Sequence, residues 1–257
     1  MTVTRQQAIQ LVYALMYGAS ETARLRLNKP IPPRLIASVR RLLDEDVARA
    51  RARQGGNSAC TLAFYDEFPA GTGHEVQYTP YRVYNLAVAH ELTRFGCKQG
   101  EVVELIATIQ DQLTDAFGRA NDRLQTWGRT SFTQSDEVGP GLSPRERRER
   151  LKIFLALRRV EATERAVEYF GPSVKEGERL NTIEILDGPE KLATFLSGEL
   201  TGGLFGAFVI ELSELAVRIT ELVQHVPLRK RGRQPSQPPS NWGDVVAQFN
   251  VRDRNHG

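Results

Sequence analysis

Apolar positions recur at helical spacing in the first segment, where Ile9, Val12, Tyr13 and Met16 follow Thr4, a natural cap. This predicts a helix from Thr4 to about Tyr17. The prolines of NKPIPP block helix upstream of Pro33, and a helix starting there carries Leu35, Ile36, Val39, Leu42 and Leu43 as its buried stripe. Arg34, Arg40 and Arg41 crowd its opposite side, and Gly55 and Gly56 end it. Next, TLAFYDEFPAGTGHEVQYTP combines aromatic and β-branched residues with Pro69, Gly71 and Gly73, which predicts two short strands joined by a loop. Two helices follow. Val83, Leu86, Ala87, Ala89 and Leu92 line the first; Val102, Val103, Leu105, Ile106 and Ile109 line the second, which extends to about Phe117, with Gly96 at the turn between them.

From Gly118 to about Arg150 the sequence turns polar and reads as a linker, with SPRERRER starting a short charged helix at Ser143. Beyond it, Ile153–Leu157, NTIEIL and GAFVIEL are strand-like, while GPEKLATFLSGEL and SELAVRITELVQHV are amphipathic. The terminal stretch is basic and then Pro/Ser-rich, the composition of a disordered tail. The expected fold class is therefore α+β: a mostly helical N-terminal domain (1–117), a linker (118–150), a small α/β domain (151–228) for dimerisation or sensing, and a tail (229–257).

Composition narrows the function. With a net charge of +3, the chain is mildly basic, which suits nucleic acid without requiring it. Two cysteines, Cys60 and Cys97, point to free thiols in a reducing compartment instead of a disulfide framework. No apolar run approaches the roughly 20 residues of a membrane span, and the start lacks the pattern of a secretory signal, so a cytoplasmic protein with no membrane partner is expected. His74, His90, His225 and His256 form no HExxH or HxH arrangement, and His90 beside Glu91 reads as a surface pair. Carboxylate pairs such as Glu161 and Glu164 have the spacing of surface charges. Neither a phosphate-binding glycine motif nor a nucleophile set is legible, so no cofactor, no metal and no enzymatic activity are expected.

Tyr78 to Gly96 with CKQGEVVELI after it, and TLAFYD at Thr61–Asp66, resemble the MerR-type winged helix-turn-helix family over roughly residues 61–113. The chain departs from that pattern at Ala63 and Val76, which stand where the family places arginines that contact DNA. The resemblance implies a bacterial DNA-binding transcriptional regulator with a winged helix-turn-helix-like N-terminal domain, reading duplex DNA as a homodimer, with an effector left open.

On the residues themselves, a groove-entering helix needs an exposed cationic face braced by an apolar stripe, which Arg34, Arg40 and Arg41 supply. Tyr81, Arg82 and Lys98 add phosphate contacts at the wing and turn, and Arg229, Lys230, Arg231 and Arg233 form a phosphate-binding arm. Phe64, Tyr65 and Phe68 suit core packing better than base stacking. Two other readings stay open. The arginines of the helix after Pro33 form a solvated face paired with Asp44, Glu45 and Asp46, in a non-enzymatic adaptor that binds other proteins; or an enzyme works through the second domain.

Overall fold

The helix Pro80–Arg94 is buried on all sides over residues 82–90, and the rest of the fold is arranged about it. The computed structural model describes residues 2–17, 23–54, 61–69, 76–129, 151–161, 179–197 and 203–227. In chain order these form β1 (Val3–Thr4), α1 (Arg5–Tyr17), α2 (Ala23–Arg26), α3 (Pro33–Gln54), β2 (Gln77–Tyr78), α4 (Pro80–Arg94), α5 (Gln99–Thr108) and α6 (Gln110–Arg129). There follow β3 (Ile153–Glu161), β4 (Arg179–Asp187), α7 (Gly188–Ser197), β5 (Gly203–Glu211) and α8 (Leu212–Val223). The mixed helix and sheet content is that of an α+β protein.

Pro80 opens α4 in the first turn, where a missing N–H costs nothing, and the Thr79 hydroxyl accepts from Arg82 N. Every residue from Arg82 to His90 is buried, because α1, α3, α5 and α8 all pack against this helix. A helix apolar around most of its circumference has to lie in the interior. At its end Gly96 takes φ +86°, as the turn requires, and Cys97 N donates back to Leu92 O at 3.2 Å. A Cβ added at Gly96 would meet nothing within 4 Å, so only the backbone resists a side chain there. Gly96→Val should lower stability by about 1–2 kcal/mol. Gly118→Ala, in the open on helix α6, should instead raise it by up to about 1 kcal/mol. Thermal melts of the two variants should shift in opposite directions.

The strands form a three-stranded antiparallel sheet in the order β4-β3-β5. Their period of two sorts the two faces. Ile153, Leu155 and Leu157, with Ile183, Ile185, Phe208 and Ile210 beside them, face the helices and join the main core. Ala156, Leu186 and Val209 face the other way, where α7 covers them with Leu192 and Phe195. The result is three layers: helices, sheet, and the single helix α7.

The sequence-based division at 117/118 meets a different arrangement. Residues 1–226 make one compact unit, and the expected boundary falls inside α6. Helix α8 buries Leu215, Ile219 and Leu222 in the same core as Leu11, Leu86 and Leu113. Phe95, just past α4, stacks on Phe208 of β5 with ring centroids 3.5 Å apart. Arg119 on α6 reaches Asp187 at the end of β4 at 2.6 Å, and Thr220 on α8 donates to the Asn121 Oδ1 at 2.8 Å. The second expected helix also breaks at Ile109, after which α6 runs on through residues read as linker.

Of the two strands expected between Thr61 and Pro80, the first is absent and the second is present only as Gln77–Tyr78. Thr61–Pro69 is not strand, and Gln77–Tyr78 pairs antiparallel with Val3–Thr4, so no β-hairpin wing forms among the described residues. Gly55, Gly56, Cys60, the segment starting at Ser143, and the basic run Arg229, Lys230, Arg231 and Arg233 lie outside the described residues.

Candidate nucleic-acid interface

Helix α3 owes its position to one face. Leu35, Val39, Leu42, Leu43 and Ala50 are buried against α5, α4 and α1, which turns Arg34, Arg40 and Arg41 out to solvent. Arg41 Nε donates to Ala37 O at 3.3 Å; among the described residues none of the three meets a carboxylate. Two of the three acids expected to neutralise them are engaged elsewhere, and Glu45 is exposed without reaching any of the three arginines. Asp44 sits 3.6 Å from Arg5, and Asp46 is wholly buried and 3.5 Å from Arg49. Arg51, which the sequence reading left out, is exposed eleven residues after Arg40. That spacing returns to nearly the same side of the helix about 16 Å further along. A helical count from Arg40 would have found it.

The other candidate residues separate from this face. Arg82 is not a surface phosphate contact but a buried tether. Its Nε donates to Asp66 at 2.8 Å and its Nη1 to the carbonyls of Leu62 and Ala63, both at 3.2 Å. The Gln110 amide, oriented with its oxygen toward Arg82, accepts at 2.8 and 3.2 Å and donates to Leu62 O at 3.0 Å. The Tyr81 hydroxyl donates to Gln110 O at 2.9 Å, and its ring packs near Phe117. Lys98 is exposed at the start of α5, 3.7 Å from Glu101.

Those tethers act on the segment 61–66, which is coil yet has Leu62 to Tyr65 buried. Its backbone amides find no neighbouring strand. Instead Ala63 N and Phe64 N each donate to the Asp46 carboxylate at 2.9 Å, Arg49 donates to Thr61 O, and Asn85 donates to Ala63 O at 3.2 Å. Burial pushes the Asp46 carboxyl above its ordinary range, against the two amides and Arg49, which pull it down. Phe64 and Tyr65 are core residues and Phe68 packs partly against them, as their composition suggested.

Helix α5, second of the helix-turn-helix-like pair, shows an acidic outer side. Glu101 is exposed, and Glu104 bridges Arg49 at 3.2 Å and Arg53 at 2.7 Å. The cationic side of this region therefore belongs to α3.

His90 is a correction of another kind. It is only 4% exposed, and neither ring nitrogen has a hydrogen-bond partner, so it is a core residue instead of a surface pair with Glu91. Burial, helped by the nearby Arg94, lowers its pKa to about 4 from 6.5. When pH falls below 6.5 the unfolded chain takes up the proton first, so stability is full above 6.5 and drains until about pH 4. The slope is at most about 1.4 kcal/mol per pH unit. His90→Leu should remove that dependence and, by deleting two orphaned nitrogens, add about 1–2 kcal/mol at neutral pH. Urea titrations at several pH values between these limits check both; an unchanged acid slope tells against His90 as its source.

Compared with known proteins, the chain matches no family model, no curated protein and no solved structure.

Proposed function

We propose that the protein is a non-enzymatic duplex-DNA-binding protein, of the bacterial transcriptional-regulator kind, that lays the outer side of α3 against the phosphate backbone. The observation that carries this reading is that Arg34, Arg40 and Arg41 are exposed and meet no carboxylate among the described residues. Guanidinium groups held on a rigid helix release counterions when they neutralise phosphates, and they lose little freedom in doing so. Lys98 and the run Arg229, Lys230, Arg231 and Arg233 would add to the same electrostatic term. A homodimer would place two such helices on a symmetric site.

The experiment is a titration of the full chain against random duplex at two salt concentrations. Tight binding at low salt should weaken steeply at higher salt. Arg34→Gln, Arg40→Gln and Arg41→Gln together should flatten the logarithmic salt slope by roughly three phosphate equivalents, about 0.9 each. Equal slopes for the variant and the parent overturn the assignment to α3.

A second reading is favoured by one observation, the acidic outer side of α5 with Glu101 and Glu104. A surface of mixed sign suits a protein-interaction adaptor, and absence of duplex binding even at low salt would select it.

A further inference from the structure

Helix α7 covers only part of the outer face of the β4-β3-β5 sheet and leaves beside it a cavity of about 510 Å³, within the size range of small-molecule sites. Arg158 of β3 stands two residues beyond Ala156, on the same face, and is only 6% exposed. Its guanidinium is held in place: Cζ lies 5.0 Å from the centre of the Phe195 ring, and Nη2 donates to Leu196 O at 3.4 Å, near the C-terminal end of α7. Both neighbours favour a fixed cation. Leu186 and Phe195 give the cavity buried apolar surface, while Glu184, Glu190 and Lys191 are exposed around its opening.

The balance of these charges selects the ligand. Arg158 and Lys191 offset Glu184 and Glu190, so a simple anion gains from one pair and is opposed by the other. A cation meets the reverse. A small molecule that carries both a carboxylate and an ammonium gains from both pairs. We propose that this cavity binds a free α-amino acid with an apolar side chain. The carboxylate meets the planar fork of Arg158, the ammonium meets Glu184, and the side chain lies against Leu186 and Phe195. This does not rest on DNA binding, because the site lies on the face of the sheet that α7 covers, opposite the main core, and its occupancy is measured without DNA.

Calorimetric titration of the full chain with phenylalanine and with leucine should show saturable binding, with Kd of roughly micromolar to millimolar order. 3-Phenylpropanoate, which lacks the ammonium, and phenethylamine, which lacks the carboxylate, should each bind at least about tenfold more weakly, the discrimination of one charge-assisted hydrogen bond. Arg158→Gln should abolish binding, but a buried arginine also supports the fold. Glu184→Gln, at an exposed position, gives the cleaner arm. It should weaken phenylalanine about tenfold and, by removing a charge that opposes an anion, leave 3-phenylpropanoate no weaker than in the parent. No saturable heat with either amino acid overturns the proposal. So does 3-phenylpropanoate binding as tightly as phenylalanine, or a Glu184→Gln variant that binds phenylalanine like the parent.

Discussion

Arg82→Met is expected to lower the unfolding free energy by about 3–4 kcal/mol, although methionine keeps the apolar stem. The guanidinium joins three pieces of chain: the coil segment through Leu62, Ala63 and Asp66, its own helix α4, and α6 through Gln110. Without it the Leu62 carbonyl keeps only the Gln110 amide and the Ala63 carbonyl keeps only Asn85. Hydrogen bonds from a charged donor in the interior contribute more than neutral ones, and several are lost together. Arg41→Met, on the exposed side of α3, should change stability by less than about 0.5 kcal/mol. Urea unfolding of the two variants makes the comparison. A pair of equally mild effects would mean that Arg82 is not a structural tether, and it would return to the list of surface cations.

The elements that the sequence made legible are those whose pattern is local. Helices α1, α3, α4, α5, α7 and α8 and the three strands of the larger sheet lie close to where apolar spacing placed them. Pro33 and Gly96 mark a helix start and a positive-φ turn for reasons internal to those residues.

What escaped the reading depends on partners far along the chain. Helix α6 has a buried stripe of Leu113, Ala116 and Ala120, whose two alanines give a weak signal among polar residues. Its main packing partner is α8, about a hundred residues later. The segment 61–66 has strand-like composition, but its amides are satisfied by a carboxylate on α3, and no local rule marks that. Arg82 was read by its sign, and its burial is set by residues 16 to 28 positions away. His90 did leave a signal. From Val83 to Ala89 nearly every position is apolar instead of one stripe, which is the mark of a helix with no solvent side.

The acidic end of the same clamp carries the other large effect. Asp46→Asn should destabilise by about 3–5 kcal/mol, more than most changes of a single atom, for a geometric reason. The carboxylate is wholly buried and both of its oxygens face N–H donors: Ala63 N on Oδ1 and Phe64 N on Oδ2, each at 2.9 Å. An amide has one oxygen and one NH₂, so either orientation turns a donor toward a donor. The substitution also takes the negative partner from Arg49, whose side chain is only 11% exposed and keeps Glu104 and the Thr61 carbonyl. Asp46→Asn should therefore free the coil segment before it unfolds the core. Hydrogen exchange should show Ala63 and Phe64 amides losing protection while those of α4 keep theirs. Loss of less than about 1 kcal/mol, with both amides still protected, would show that the segment is held by its apolar side chains alone.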